Sequence, residues 1–372
     1  MTENKEKVSR KHVPSGKVFG VLGALALAIV IVNAETASEY MIRGLKLCAE
    51  TVIPSLFPFM VISDIITCSG AGALLAGALE RPMKRLFGIS GAGAEAFLLG
   101  ALCGFPIGAR AAVSLLDSGA ISRSECESLL TFTNNPSAAF IMSAVGVSLF
   151  TSKSFGIALY AIVVFSSLTT GLLFCRLLGK KGGEVQAPRA LGERRAVFGA
   201  SELTGAISSS AFGVLKVCSF VLFFSVMLGI LGEGLQRLGI AKAARAVIFC
   251  VFEMTGGMAE AAALKDTFAA LVTAAFAAGW SGISVHFQII SICEGRGLSF
   301  KPYFAAKLIQ GALCASVTAI VLRFAPSAFG VAQRSGEAIR LIPNMPSVMS
   351  VALIVVFLLG LAVGIAKKAN VW

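Results

Sequence analysis

The sequence predicts an all-α polytopic membrane protein: about eight transmembrane helices plus two re-entrant helical hairpins, set in an inverted repeat. Three observations carry that prediction. Of the 372 residues 56% are hydrophobic and only 14% charged, too few charges to cover a soluble chain of this size. Several apolar runs reach the roughly 20 residues that a helix needs to cross about 30 Å of hydrocarbon. Two further apolar segments are cut at their centres by glycine or proline, which suits paired half-helices better than a span.

In chain order, 1–17 is a basic tail and 18–35 the first transmembrane helix. That start also resembles a signal peptide with a cut after Ala34, but an uncleaved anchor orients the later spans and is the reading adopted. Repeat 1 covers 40–178. It opens with an interfacial piece containing Arg43 and Lys46, followed by a span at 50–69. The segment ALERPMKRLFG reads as an interfacial helix. The hairpin 92–119 is broken at Gly104-Phe105-Pro106-Ile107-Gly108, and spans follow at 126–148 and 155–178. The polar stretch 179–207, rich in Gly, Lys and Arg, is a cytoplasmic linker. Repeat 2 covers 208–325, with spans at 208–232, 268–292 and 303–323 and a hairpin at 246–266 whose break is placed at Thr255-Gly256-Gly257. The last part, 326–372, is a loop and a final span at 347–366 that ends in Lys367-Lys368.

With these spans the Lys and Arg residues fall about two to one on one side, which makes that side, and both termini, cytoplasmic. The net charge of +12 is explained the same way. No basic stripe with interleaved aromatics appears, so nucleic acid is not expected as a partner; the lipid bilayer is.

The two repeats resemble each other. CGFPIGARAAVSLLDSG at 103–119 lines up with FEMTGGMAEAAALKDTF at 252–268, so that Gly108 meets Gly257 and Asp117 meets Asp266. Further on, Ser137 meets Ser284, and Lys153 and Lys301 fall at similar places. The first span of the first repeat runs inward and that of the second outward, hence an inverted repeat. Paired broken helices of that kind are the sequence signature of a secondary transporter. A break frees backbone amides and carbonyls at membrane depth, and protein, water or a solute must satisfy them.

Candidate solute-binding residues cluster at the breaks: Gly104, Gly108, Arg110, Asn134, Asn135, Ser137, Thr255, Gly256, Gly257, Ser284, His286 and Gln288. Asn134 and Asn135 offer hydrogen bonds without an unpaired charge, either to a solute or as glue between helices. His286 either accepts a proton during transport or donates to a carbonyl. Arg110 either grips a carboxylate or reaches the interface. Glu253 either binds a coupling cation, a proton or a polar substrate group, or pairs with Arg110. Glu260 and Lys216 are further coupling or ion-pair candidates. Asp117 and Asp266 read as helix-end groups.

The nine cysteines include no CxxC pair and sit mostly in apolar segments, which suits small buried hydrophobes. His12 and His286 alone cannot build a histidine metal cluster. There is no P-loop, HExxH or GxSxG, and no Ser–His pattern suggests a triad, which argues against an enzyme. No cofactor is expected, and whether Na⁺ or H⁺ couples to transport stays open.

At VIPSLFPFMVISDII, GFPIGA, LLTFTNNPSAAFI and GISVHFQ the chain resembles the YlbJ (SpoVV) family of sporulation integral membrane proteins. The resemblance covers about 40–325. That family belongs to the nucleoside-recognition Gate group, which is similar to the concentrative nucleoside transporter core. The resemblance implies a role in endospore formation: moving dipicolinic acid across the outer forespore membrane, with the termini in the mother cell. The alternatives are transport of a nucleoside or another small solute, or a non-transporting part of a spore membrane complex. Homo-oligomers and spore membrane partners are both compatible with it. Family members commonly read NNxSP where this chain has Asn134-Asn135-Pro136-Ser137-Ala138, so the local break differs. A planar dianion such as dipicolinate would suit Arg110 or Lys216, the Asn amides and half-helix N-termini.

Overall fold

The computed structural model describes residues 16–68, 71–178 and 199–330. The tail 1–15, most of the linker 179–207 and the expected last span at 347–366 lie outside the described residues. All regular structure among those described is helical.

Helix α1 (Gly16–Val32) meets α2 (Ala34–Leu47) at Asn33, and the pair is bent by 96°. A π-helical turn carries α2 into α3 (Ile53–Cys68). Helix α4 (Ala71–Pro82) runs into a second π turn that stops at Gly88 in the left-handed region. The first hairpin is α5 (Gly93–Cys103) and α6 (Ile107–Asp117), and α7 (Arg123–Thr133) follows. Ser122 and Glu125 start α7 with a reciprocal capping box. After a non-helical stretch at 134–137 comes a π-helical segment, Phe140–Leu149, then α8 (Lys153–Leu178).

The second half begins with α9 (Ala200–Arg237), whose 38 residues exceed what a bilayer needs. The second hairpin is α10 (Lys242–Phe252) and α11 (Met254–Ala262). Asp266 then caps α12 (Thr267–Trp280), which gives way to α13 (Gly282–Cys293) and α14 (Lys301–Phe324). Among the described residues, four stretches are long and apolar enough to cross a membrane: Lys153–Arg176, Ala200–Arg237, Thr267–Cys293 and Lys301–Phe324. The bent first pair would be a fifth.

Two details differ from the sequence reading. The second hairpin turns at Glu253, one residue in extended conformation, while Thr255, Gly256 and Gly257 form the first turn of α11. The reason is the Glu253 side chain, which accepts from the Thr255 and Gly256 amides and so starts a helix there. The stretch 268–292 is two helices, parted where Ser281 and Gly282 both take positive φ.

In chain order the elements of the two halves can be set side by side: α2–α3 with α9, the α5–α6 hairpin with α10–α11, α7 with α12, the π segment with α13, and α8 with α14. Contacts between halves follow the same exchange. Helix α6 packs on α13, and α11 on the π segment; α7 packs on α14, and α12 on α8; α3 meets α9, and α8 meets α14. Each hairpin apex is also pressed against the break of its own half. In the first, the Phe105 amide donates to the Asn135 carbonyl at 2.7 Å, and a Cβ on Gly100 or Gly108 would fall 1.9 or 2.1 Å from the Thr133 carbonyl oxygen. In the second, Trp280 Nε1 donates to the Val251 carbonyl at 3.0 Å, and Gly282 lies against the Glu253–Met254 backbone.

Candidate functional site

Both hairpin apices, the first break and α13 meet at one small closed chamber. Phe105 reaches it from the first apex, and Glu253, Met254 and Thr255 from the second. Ser137 and Phe140 come from the first break, and Ser284, Val285 and Gln288 from α13; α3 and α9 close the sides. Its volume is about 30 Å³, room for little more than a water or two. Glu253 is buried, and its two carboxylate oxygens are taken up by the Thr255 and Gly256 amides at 2.9 and 2.5 Å. The N-terminus of α11 is a ready anion site, and the chain's own carboxylate fills it.

Beside the chamber lies a larger open cavity of about 650 Å³, walled by α6, α9 and α13. Val217 and Gln288 line both spaces, so the cavity, here the vestibule, adjoins the chamber. Arg110, Lys216 and Arg296 line it, with Asp117 as the carboxylate among its lining residues. Arg110 donates to Asp64 at 3.1 Å and to Ser209 at 2.6 Å, and Ser210 donates to the same Asp64 oxygen. The expected pairing of Arg110 with Glu253 does not form, because each already has nearer partners. Arg296 holds Asp117 through two hydrogen bonds, 2.8 and 2.7 Å. This pair lies outside the candidate spans, and the bonds from Arg296 hold the Asp117 carboxyl below its usual range. Lys216 donates to the Ser291 hydroxyl at 2.6 Å and has no carboxylate partner among the described residues, which leaves its charge available to a solute.

Asn134 and Asn135 are buried but line neither cavity. The amide of Asn135 donates to the Phe132 carbonyl and to Ser167, and its oxygen accepts from Gln310 at 2.7 Å. Asn134 donates to the Leu130 carbonyl, and its own backbone carbonyl accepts from Lys307 Nζ at 2.8 Å. Lys307 is wholly buried and donates also to Gln310. The interhelical-glue alternative therefore describes the contacts of this pair, and two of its partners, Lys307 and Gln310, come from the other half of the chain.

His286 also lines neither cavity. Its Nδ1 is 2.9 Å from the Tyr303 hydroxyl, and its ring is packed among Trp280, Tyr303 and Phe304. Gly104 and Gly108 fit the hairpin against the 133–137 backbone, Gly257 lies against Cys250, and Gly256 stands beside the Glu253 carboxylate. Glu260, half-buried on α11, lines neither space. Of the expected residues, the chamber gathers Ser137, Glu253, Thr255, Ser284 and Gln288, and the vestibule Arg110 and Lys216, with Gln288 common to both. Asp64, Arg296, Lys307 and Gln310 were not singled out from the sequence. Asp64 and Lys307 carried a signal, each being a charge inside an apolar run.

Fold and apolar helices define an integral membrane protein of the helical, polytopic class. A sporulation integral membrane protein of Bacillus subtilis (strain 168), YlbJ, is 29% identical over 322 residues, which is 77% of this chain and 78% of that one. That similarity runs through most of both chains and supports a place for this chain in the YlbJ family of sporulation integral membrane proteins. No family model and no solved structure matches it.

Proposed function

We propose that the chain is a secondary carrier for a small organic dianion, with dipicolinate the favoured solute. The observation that carries this reading is the seam between the halves: a cationic vestibule adjoins, at Gln288 and Val217, a closed chamber lined by both hairpin apices. A site enclosed by two matching broken units is the geometry that alternating access uses. On this reading the hairpins are re-entrant and the halves are mounted in opposite senses, as in the concentrative nucleoside transporter core and the Gate group. The vestibule is lined by residues within 209–217 in the first half of α9, the half that follows the cytoplasmic linker, so on this reading it opens toward that linker and the carrier faces the mother cell, within the outer forespore membrane. A chamber of about 30 Å³ is then the contracted state, and solute entry has to part the apices.

Two positive side chains, Lys216 without an acidic partner and Arg110 within reach, suit two carboxylates better than a neutral nucleoside. The test is uptake of labelled dipicolinate into proteoliposomes, with nucleosides as competitors. Lys216→Met and Arg110→Met together should cut uptake at least about tenfold, since each charge-assisted bond lost is worth roughly 1.5 kcal/mol or more. Uptake of nucleosides in preference, or no uptake of any solute with normal spore assembly, would reverse this reading in favour of the nucleoside or the structural alternative.

A further inference from the structure

The break at 134–137 ends α7 in the buried interior, so the last carbonyls of that helix lack their own helical donors. Half-helix C-termini of this sort carry partial negative charge and gather cations. The break carries buried oxygens: the Asn134 carbonyl, with Asn134 Oδ1 and Thr133 Oγ1, which have no hydrogen-bond partner, while the Gln310 side-chain oxygen shares the nitrogen that reaches the Asn134 carbonyl. That nitrogen is Lys307 Nζ, from α14 of the opposite half, 2.8 Å from the Asn134 carbonyl and 2.9 Å from Gln310. Both partners are acceptors, as an ammonium requires.

The other half lacks this arrangement. With Lys153 set against Lys301 as the starts of α8 and α14, Lys307 corresponds to Leu159 and Gln310 to Ile162. The break at Ser281-Gly282 is therefore not met by a cation from α8. A structural need common to both breaks would not explain a lysine at one and a leucine at the other.

We propose that the Lys307 ammonium is a tethered cation, standing where a free monovalent cation would otherwise bind at the broken end of α7, so that this break needs no dissolved cation. Its consequence for coupling rests on the carrier reading above: uptake should run equally well with sodium or choline outside. The site itself does not rest on that reading and can be tested without transport.

The test is thermal unfolding of the purified full chain in detergent, in choline, sodium and methylammonium chloride. Wild type should melt alike in all three. Lys307→Ala should melt lower in choline and recover by about 3 °C or more as methylammonium or sodium is raised, since the cation binds only the folded form. If the variant folds only when one of these small cations is present, that supports the proposal equally. Lys307→Met, which keeps the length and drops the charge, should melt below wild type. A Lys307→Met protein as stable as wild type, or a Lys307→Ala protein that no small cation restores, overturns it. In vesicles, a sodium requirement of the wild type overturns the coupling consequence, whereas absence of uptake for every solute counts against the carrier reading and leaves the melting result standing.

Discussion

Gly100 and Gly108 show how little room the first apex has. A methyl group on either would stand about 2 Å from the Thr133 carbonyl oxygen, and the atom it meets is backbone that cannot swing aside. Gly100→Ala or Gly108→Ala should therefore cost about 3 kcal/mol or more, read as a large fall in melting temperature or loss of folded protein. The Asp117–Arg296 pair sits at the opposite extreme, half-exposed and modest in worth. Its carboxyl titrates below the ordinary range, so its stabilisation is complete above that range and disappears as pH falls through the lowered value. Asp117→Asn should lower stability by less than about 1 kcal/mol at neutral pH. The gap to wild type in melting temperature should close below about pH 4. Single residues were legible in the sequence where chemistry and position conflict, as with Asn134 and Asn135 in an apolar run. Their partners were not: Gln310 and Lys307 lie more than 170 positions away.

At the scale of elements, the break between α7 and the π segment is held by a network that spans both halves. Asn135 links Phe132, Ser167 and Gln310. Asn135→Leu keeps the bulk and strands the Gln310 amide in an apolar interior. It should cost about 2–4 kcal/mol in unfolding experiments while leaving the vestibule in place. Both break positions in the first half could be read from the chain because glycine and proline mark them. The break at Ser281 carries no proline and depends on positive φ at a serine, so its sequence looks like a continuous helix. The hairpin turn at Glu253 was displaced toward Thr255–Gly257 for a related reason. Two glycines suggest a turn, but a capping carboxylate just before them makes a helix start.

Across the whole molecule, the vestibule is open and the chamber is shut. If the open face is cytoplasmic, Ser114→Cys and Phe212→Cys should react with a membrane-impermeant maleimide supplied from that side, above the background of the parent protein. Dipicolinate should slow the reaction, while a cysteine at Leu159, wholly buried, should stay unlabelled. Labelling only from the opposite side would reverse the assigned orientation.

Composition and the spacing of apolar runs were enough to determine a helical membrane protein with interrupted segments, because bilayer thickness and backbone hydrogen bonding act on each segment separately. The order of the elements could be followed along the chain for the same reason. Which polar groups face a cavity and which bind each other was decided only by the tertiary structure. Asn135 and Lys307 satisfy partners in the opposite half, while Lys216 and Arg110 come together from helices far apart in sequence. Such pairings depend on how two halves dock, and docking leaves no local pattern for a reader of the sequence.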